Sequence, residues 1–132
     1  MREILFRGRG KQKPYLGKWF YGELECYQNG GKNPIIWQND NPYVHGYFVE
    51  RETIGQYIGL TDKNGKRIFE GDIVTHPLTD TKGIVQWMDS GFVVHEPKHD
   101  EHGDYYYALN DGDKKTTVIG NIHDNPELMK GA

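Results

Sequence analysis

Three histidines and four acidic residues lie within one ten-residue segment, HEPKHDEHGD. Imidazole and carboxylate groups bind zinc and other divalent metals, so His95, His99 and His102 are the candidate metal ligands of this chain. Their H-x3-H-x2-H spacing would bring the three side chains together on a helix, whereas Pro97 and Gly103 favour a hairpin loop. We therefore expect a solvated loop, and a metal-dependent enzyme centred on this segment is kept as an alternative function.

Two further carboxylates, Glu70 and Asp72, stand two positions apart in the segment EGDIV. Paired carboxylates perform acid–base catalysis where a cleft shifts the pKa of one of them. A structural role is favoured here, because Gly71 lets the chain bend and Asp72 can accept backbone N–H groups in that bend. Ser90 and Cys26 have no nearby base in the sequence, so nucleophilic catalysis is unsupported. The sequence predicts neither an enzyme nor a cofactor.

Aromatic rings are the candidate binding groups of the second half of the chain. They are Trp87 and the run Tyr105, Tyr106 and Tyr107. Exposed rings on a strand can grip an extended peptide or stack on nucleic-acid bases. Side chains alternate between the two faces of a strand, so Tyr106 points away from the other two tyrosines and at least one ring lies outside the core. The alternative is that these tyrosines line the edge of the core with their hydroxyls in water.

Basic residues are concentrated at the start of the chain. The candidates for contact with a partner are Arg2, Arg7, Arg9 and Lys11. Residues 1–66 hold ten Lys and Arg against seven Asp and Glu, a charge of +3, and residues 67–132 hold six against twelve, a charge of −6. This basic rim could contact a polyanion or the acidic half of a second copy, although most charge runs are simply solvated. The net charge of −3 does not favour generic nucleic-acid binding.

Composition places the chain among folded β proteins. It has 17 glycines and 13% aromatic residues, which are typical of short strands and turns. A single cysteine excludes an intrachain disulfide and suits a reducing cytoplasm. No stretch approaches the roughly 20 apolar residues of a membrane span, so no membrane association is expected.

Period-two alternation and turn residues predict many short strands. In the first half they fall at residues 2–7, 18–25, 34–38, 43–49 and 54–60. In the second half they fall at residues 66–69, 72–76, 82–88, 91–96, 104–109 and 116–122. The segment Asp62-Lys63-Asn64-Gly65 predicts a hairpin turn, because Asn-Gly tolerates positive φ.

The spacing of the later strands predicts a small SH3-like barrel. We therefore expect an all-β protein with an N-terminal β subdomain at residues 1–65 and a C-terminal SH3-like barrel at residues 66–132. A short helical turn should follow, capped by Asn125, with Pro126 in its first turn. Leu128 and Met129 would pack that turn against the barrel mouth.

Several segments of the chain also resemble a known family. They are REILFR, KWFYGEL, ETIGQYIGLTDKNGKRIFEGDIV and VIGNIHDNPELM. In this order they are similar to the conserved blocks of the YopX family of phage and prophage proteins, over almost the whole chain. The resemblance implies an all-β fold with a C-terminal SH3-like barrel and a phage or prophage origin. The family has no established activity, so no catalytic residue is carried over. The glycine-rich segment 28–41 and the acidic, histidine-containing loop near 95–104 depart from the family pattern.

Together these patterns predict a non-enzymatic interaction module in the cytoplasm of a host bacterial cell. It would bind a protein partner, or a second copy of itself, through its aromatic residues and its basic rim. A nucleic-acid-associated module is the alternative, with the N-terminal arginines and Lys11 on phosphates and Tyr or Trp rings stacked on bases. No motif identifies the partner.

Overall fold

The computed structural model describes residues 3–26, 33–89, 91–98, 101, 103–109 and 116–130. In this part of the chain, eleven strands form two antiparallel sheets, and the only helical segments are two 3₁₀ helices. The prediction of an all-β protein is confirmed.

The first sheet has six strands. They are β1 (Phe6–Arg9), β2 (Trp19–Glu25), β3 (Ile35–Asp40), β4 (Tyr43–Phe48), β5 (Gly55–Thr61) and β6 (Arg67–Phe69). Their order in the sheet is β4-β3-β2-β1-β5-β6, so β4 and β6 are its edges. A 3₁₀ helix, Arg51–Thr53, precedes β5.

The second sheet has five strands. They are β7 (Asp72–Thr75), β8 (Lys82–Met88), β9 (Gly91–Glu96), β10 (Tyr105–Tyr107) and β11 (Val118–Asn121). Their order is β10-β9-β8-β7-β11. The predicted C-terminal helical turn is the 3₁₀ helix Pro126–Met129.

A closed SH3-like barrel is not confirmed. Within the described residues, β10 and β11 are the two edges of the second sheet, and no strand pairing joins them. Regular short strands with tight turns specify local hairpins, but closure depends on the pairing of strands far apart in sequence. Leu128 and Met129 are half-buried, and their packing against a barrel mouth stays a prediction.

The chain divides into two compact units, Met1–Tyr57 and Ile58–Ala132, each with its own apolar core. The core of the first unit is built on Phe20, Ile36 and Val49. The core of the second unit is built on Ile58, Ile68, Val74, Val85 and Val94. Alternation of buried and more exposed residues, the pattern that predicted the strands, is seen in β8 and β9, whereas β7 is almost wholly buried and β4 is exposed along most of its length. The proposed division at residues 65 and 66 stays a prediction, because it concerns which segments fold on their own.

Candidate interaction surface

The Asp62 carboxylate, in the hairpin between β5 and β6, accepts hydrogen bonds from three backbone N–H groups. The Oδ1 atom of Asp62 accepts the backbone N–H groups of Asn64 and Lys66, both at 2.9 Å, and Oδ2 accepts that of Val118 at 3.0 Å. Burial of the Asp62 carboxyl disfavours its charge, but these three N–H groups, helped by the nearby Lys66 ammonium, leave its pKa below the ordinary value. Both oxygens of this buried carboxylate accept backbone N–H groups, so Asp62 is structural.

The second acidic motif is also structural. Gly71 has a φ of 94°, a conformation that L residues rarely adopt, and it makes the bend between β6 and β7. Asp72 is buried, and its Oδ2 accepts the backbone N–H of Phe69 at 2.8 Å. Glu70 stays at the turn itself, half-buried. The favoured structural interpretation of EGD therefore agrees with the geometry.

Of the three candidate metal ligands in the histidine-rich loop, only His95 lies within the described residues. The Nε2 atom of His95 lies 2.7 Å from Oδ2 of Asp104, and the His95 ring stacks on Tyr106 at a centroid distance of 4.6 Å. His99 and His102 lie outside the described residues. Among the residues that the structure does describe, no group of three or more His, Cys, Asp or Glu side chains is arranged to hold a metal.

Each described residue of the basic rim contacts another side chain of the same chain. Arg7 is only 4% exposed, and its guanidinium lies 4.7 Å from the ring centroid of Trp19. Arg9 Nε donates to Glu50 at 3.2 Å. Lys11 Nζ donates to Asn33 at 2.6 Å, and Arg2 lies outside the described residues. The three described residues therefore do not form an open cationic surface.

The predicted aromatic residues do not form one surface either. Tyr106 lies on the opposite face of β10 from Tyr105 and Tyr107, and Tyr107 is half-buried against the core. Trp87 is 53% exposed and makes an edge contact with Phe92. On their shared face, Trp87 and Tyr105 pair with opposite ends of β9, so they cannot both contact one small ligand.

One edge strand of the first sheet stands apart from the other sheet edges. β4 has six residues, YVHGYF, with no proline and no Lys, Arg, Asp or Glu. Within the described residues, the other edges are shorter or irregular: β6 and β10 have three residues each, and β11 has four with an irregular register. Proteins normally protect long edges with charges, prolines or bulges, because an open edge pairs with other strands. β4 carries none of these protections.

Hydrogen-bond alternation fixes which backbone groups of β4 face outward. The N–H of Val49 donates to the carbonyl of Pro34 on β3, so every second residue before Val49 also bonds to β3. The residues between them, Val44, Gly46 and Phe48, direct their N–H and C=O groups away from the sheet. The Phe48 carbonyl accepts the Lys11 N–H at 3.0 Å. No hydrogen bond among the described residues reaches the outward groups of Val44 and Gly46, and both residues are exposed.

The side chains around this edge are largely apolar. Tyr43 is 68% and Val44 60% exposed, and Trp37 on β3 lies over Gly46. A groove of about 350 Å³ opens along Gly46 and Phe48. Its remaining wall is formed by Gln12, Tyr15, His45 and Tyr47. We call β4 and this groove the β4 edge.

A polar network fixes the turn before β4. Asp40 accepts hydrogen bonds from Tyr47 Oη and Gln38 Nε2, both at 2.7 Å, and lies 3.0 Å from His45 Nδ1. The bond from Tyr47 is the main reason that the pKa of Asp40 falls to about 2, with Gln38 and His45 adding to it. The same bond is the main reason that the pKa of Tyr47 rises to about 12.

Sequence reasoning placed a strand at residues 43–49 but did not identify it as a surface. A local signal was present, since YVHGYF is a six-residue strand with no formal charge and no proline. Recognising it also required the order of the sheet, which puts β4 at an edge.

The fold and this surface define a small all-β protein with two antiparallel sheets and an unprotected edge strand. The YopX family model, described as "YopX protein", matches residues 6–130. The chain therefore belongs to the YopX family, as its sequence blocks predicted. No curated protein matches the chain.

A solved structure supports the fold. The crystal structure of protein EF1440 from Enterococcus faecalis superposes with a TM-score of 0.61 at 19% sequence identity. The match covers 98% of this chain and 100% of that one. The described residues contain no helix long and apolar enough to span a bilayer.

Proposed function

We propose that this YopX-family protein is a non-enzymatic interaction module that binds an extended protein segment along the β4 edge. In this binding mode, the incoming strand continues the sheet through backbone hydrogen bonds, and its side chains contact the surface beside the edge. The observation that carries the proposal is the unprotected edge itself, with the backbone groups of Val44 and Gly46 directed to solvent.

The composition of the surface supports a protein ligand. Tyr43, Val44 and Phe48 are all exposed on one short strand, which concentrates apolar area beside unpaired backbone groups. An extended peptide matches both features, because its backbone pairs with the edge while alternate side chains lie on each face of the sheet.

No second function is proposed. Nucleic-acid binding would require an open basic rim. Arg7 is buried, and the side chains of Arg9 and Lys11 donate hydrogen bonds to other side chains of the same chain. The metal-dependent enzyme is not proposed, because two of its three candidate ligands, His99 and His102, lie outside the described residues. The family resemblance supports a phage or prophage origin, and the single cysteine supports action in the host cytoplasm.

The test compares three forms of the protein against a panel of fluorescent peptides. The panel holds uncharged peptides rich in β-branched and aromatic residues, including the protein's own residues 42–48. Val44→Pro removes one outward N–H without removing a bond to β3, so it blocks the edge and spares the sheet. Val44→Thr keeps the N–H and is the matched control.

Fluorescence anisotropy should show binding of at least one peptide to the wild type and to Val44→Thr. Binding to Val44→Pro should be at least about tenfold weaker, since one hydrogen bond and its neighbours are lost. The proposal fails if no peptide binds the wild type, the protein's own segment included. It also fails if the proline variant binds as tightly as the threonine variant.

A further inference from the structure

We infer that the β4 edge is occupied by a second copy of this chain, paired β4 to β4 about a two-fold axis at His45. This inference rests on the proposed function and names the partner of the same surface. It follows from three properties of β4: the positions of its outward backbone groups, the packing of its side chains against those of a second β4, and its lack of formal charge.

The backbone allows one antiparallel register in which Val44 and Gly46 are both fully hydrogen-bonded. Val44 and Gly46 both direct their N–H and C=O groups outward, so Val44 of each copy can face Gly46 of the other. Each of these two facing pairs exchanges two backbone hydrogen bonds, as a hydrogen-bonded pair of antiparallel strands does. The His45 residues then face each other between the two pairs, on the axis.

The neighbouring registers are poorer. If Val44 faced Val44 of the second copy, Gly46 would face Pro42, which has no N–H to donate. If Gly46 faced Gly46, Val44 would face Phe48, whose carbonyl already accepts the Lys11 N–H. The register centred on His45 instead sets Phe48 opposite Pro42, so the missing N–H and the occupied carbonyl fall in the same end pair and the two central pairs are fully bonded.

The side chains on the outer face are complementary in this register. Gly46 has no side chain, and the Trp37 ring occupies the space above it. Val44 of the second copy would lie beside that ring, covering a side chain that is 60% exposed in one copy. Phe48, which is also exposed, would face Pro42.

On the opposite face, Tyr43 would lie across from Tyr47 of the second copy. Aromatic cross-strand pairs of this kind stabilise sheets. The strand itself carries no formal charge, so no like charges oppose the approach of the two edges. Each His45 keeps its own Asp40 carboxylate at 3.0 Å, which compensates any charge on the imidazole.

The first measurement is the mass in solution by sedimentation equilibrium. The wild type and Val44→Thr should approach twice the 15.3 kDa of one chain as concentration rises, and Val44→Pro should stay at 15.3 kDa. Should Val44→Pro fail to fold, Val44→Lys replaces it, and Leu78→Lys places the same charge on another highly exposed apolar residue as its control. A wild type that stays monomeric at every concentration overturns the inference.

The second measurement tests the register by cross-linking. In a background where Cys26 is changed to Ser, His45→Cys would bring two sulfurs together at a non-hydrogen-bonded pair. The Cα atoms of such a pair are about 4.5 Å apart, within disulfide range. Tyr43→Cys is the control, because Tyr43 faces Tyr47 of the second copy. Tyr43 of the second copy lies about four residues further along that strand, roughly 13 Å away. Mild oxidation should link the first variant into a covalent dimer and not the second, and equal linkage of both overturns the register.

These results separate the inference from the proposed function. A monomeric wild type that still binds an unrelated peptide, with loss in Val44→Pro, removes the second copy as partner and keeps the β4 edge as the binding surface. If neither dimer nor peptide binding is found, both proposals fail.

Discussion

The indole ring of Trp37 lies over Gly46 on the neighbouring strand so closely that a Cβ at Gly46 would fall 2.7 Å from Cζ3 of the ring. Any side chain at this position must therefore displace the ring or the strand. The hydrogen-bond register with β3 directs the backbone groups of Gly46 outward at the edge, so this residue both accommodates the Trp37 ring and contributes to the open edge of β4.

Gly46→Ala should lower the free energy of unfolding by about 1 kcal/mol, because the added methyl overpacks the contact with Trp37. Urea denaturation followed by circular dichroism measures the loss. Gly91→Ala is the matched control, since a Cβ there meets open space, and its effect should stay within about 0.5 kcal/mol. Equal effects of the two substitutions would contradict the role of the ring.

Arg7→Ala should lower the free energy of unfolding by about 2 kcal/mol, because the buried guanidinium packs over Trp19 and its stem fills space. Lys11→Ala removes an exposed hydrogen bond and should change it by less than about 0.5 kcal/mol. The comparison by urea denaturation separates a buried structural arginine from a surface charge. Arg7 would belong to the surface after all if the two variants had the same stability.

The sequence predicted β8 and β9 with the bounds that the structure gives them, because alternation and the intervening turn are local signals. The hairpin at Asp62 and the bend at Gly71 were predicted for the same reason. What these local signals omit is which strand pairs with which. The buried state of Arg7 depends on Trp19 across the sheet, whereas the sequence alone made that arginine a candidate for contact with a partner.

The same limit applies to the candidate site. The strand YVHGYF could be recognised from its residues, but its place at an edge follows from β1 lying between β2 and β5, a pairing between distant segments. Barrel closure is not confirmed for the same reason, since turn spacing does not determine the partners of β10 and β11. Site residues chosen for their chemical type, such as His95 and Arg9, proved to be engaged with nearby acids.

Asp62→Asn should lower the free energy of unfolding by about 2 kcal/mol at pH 7. The amide is uncharged and has one acceptor oxygen, so it cannot replace the carboxylate that accepts three backbone N–H groups. The pKa of Asp62 is lowered in the folded protein, so its contribution is present above the ordinary value of 3.8 and is lost as pH falls below it. The stability difference between wild type and variant should therefore shrink in acid. Urea denaturation at pH 7 and at pH 3 measures this, and a difference that grows at pH 3 would contradict the assignment.

Hydrogen bonds lower the pKa of the Asp40 carboxyl to about 2 in the folded protein. Carbon-detected NMR should find its pKa at about 2, and Tyr47→Phe should raise it toward the ordinary 3.8, because the hydrogen bond from the Tyr47 hydroxyl is the main cause of the shift. Tyr43→Phe, which removes a neighbouring hydroxyl that does not bond to Asp40, should leave the titration unchanged. Because the folded pKa is depressed, the charged network stabilises the protein above about pH 3.8, and that contribution is lost as pH falls toward 2. An Asp40 pKa unaffected by Tyr47→Phe would show that the network before β4 is not held by this bond.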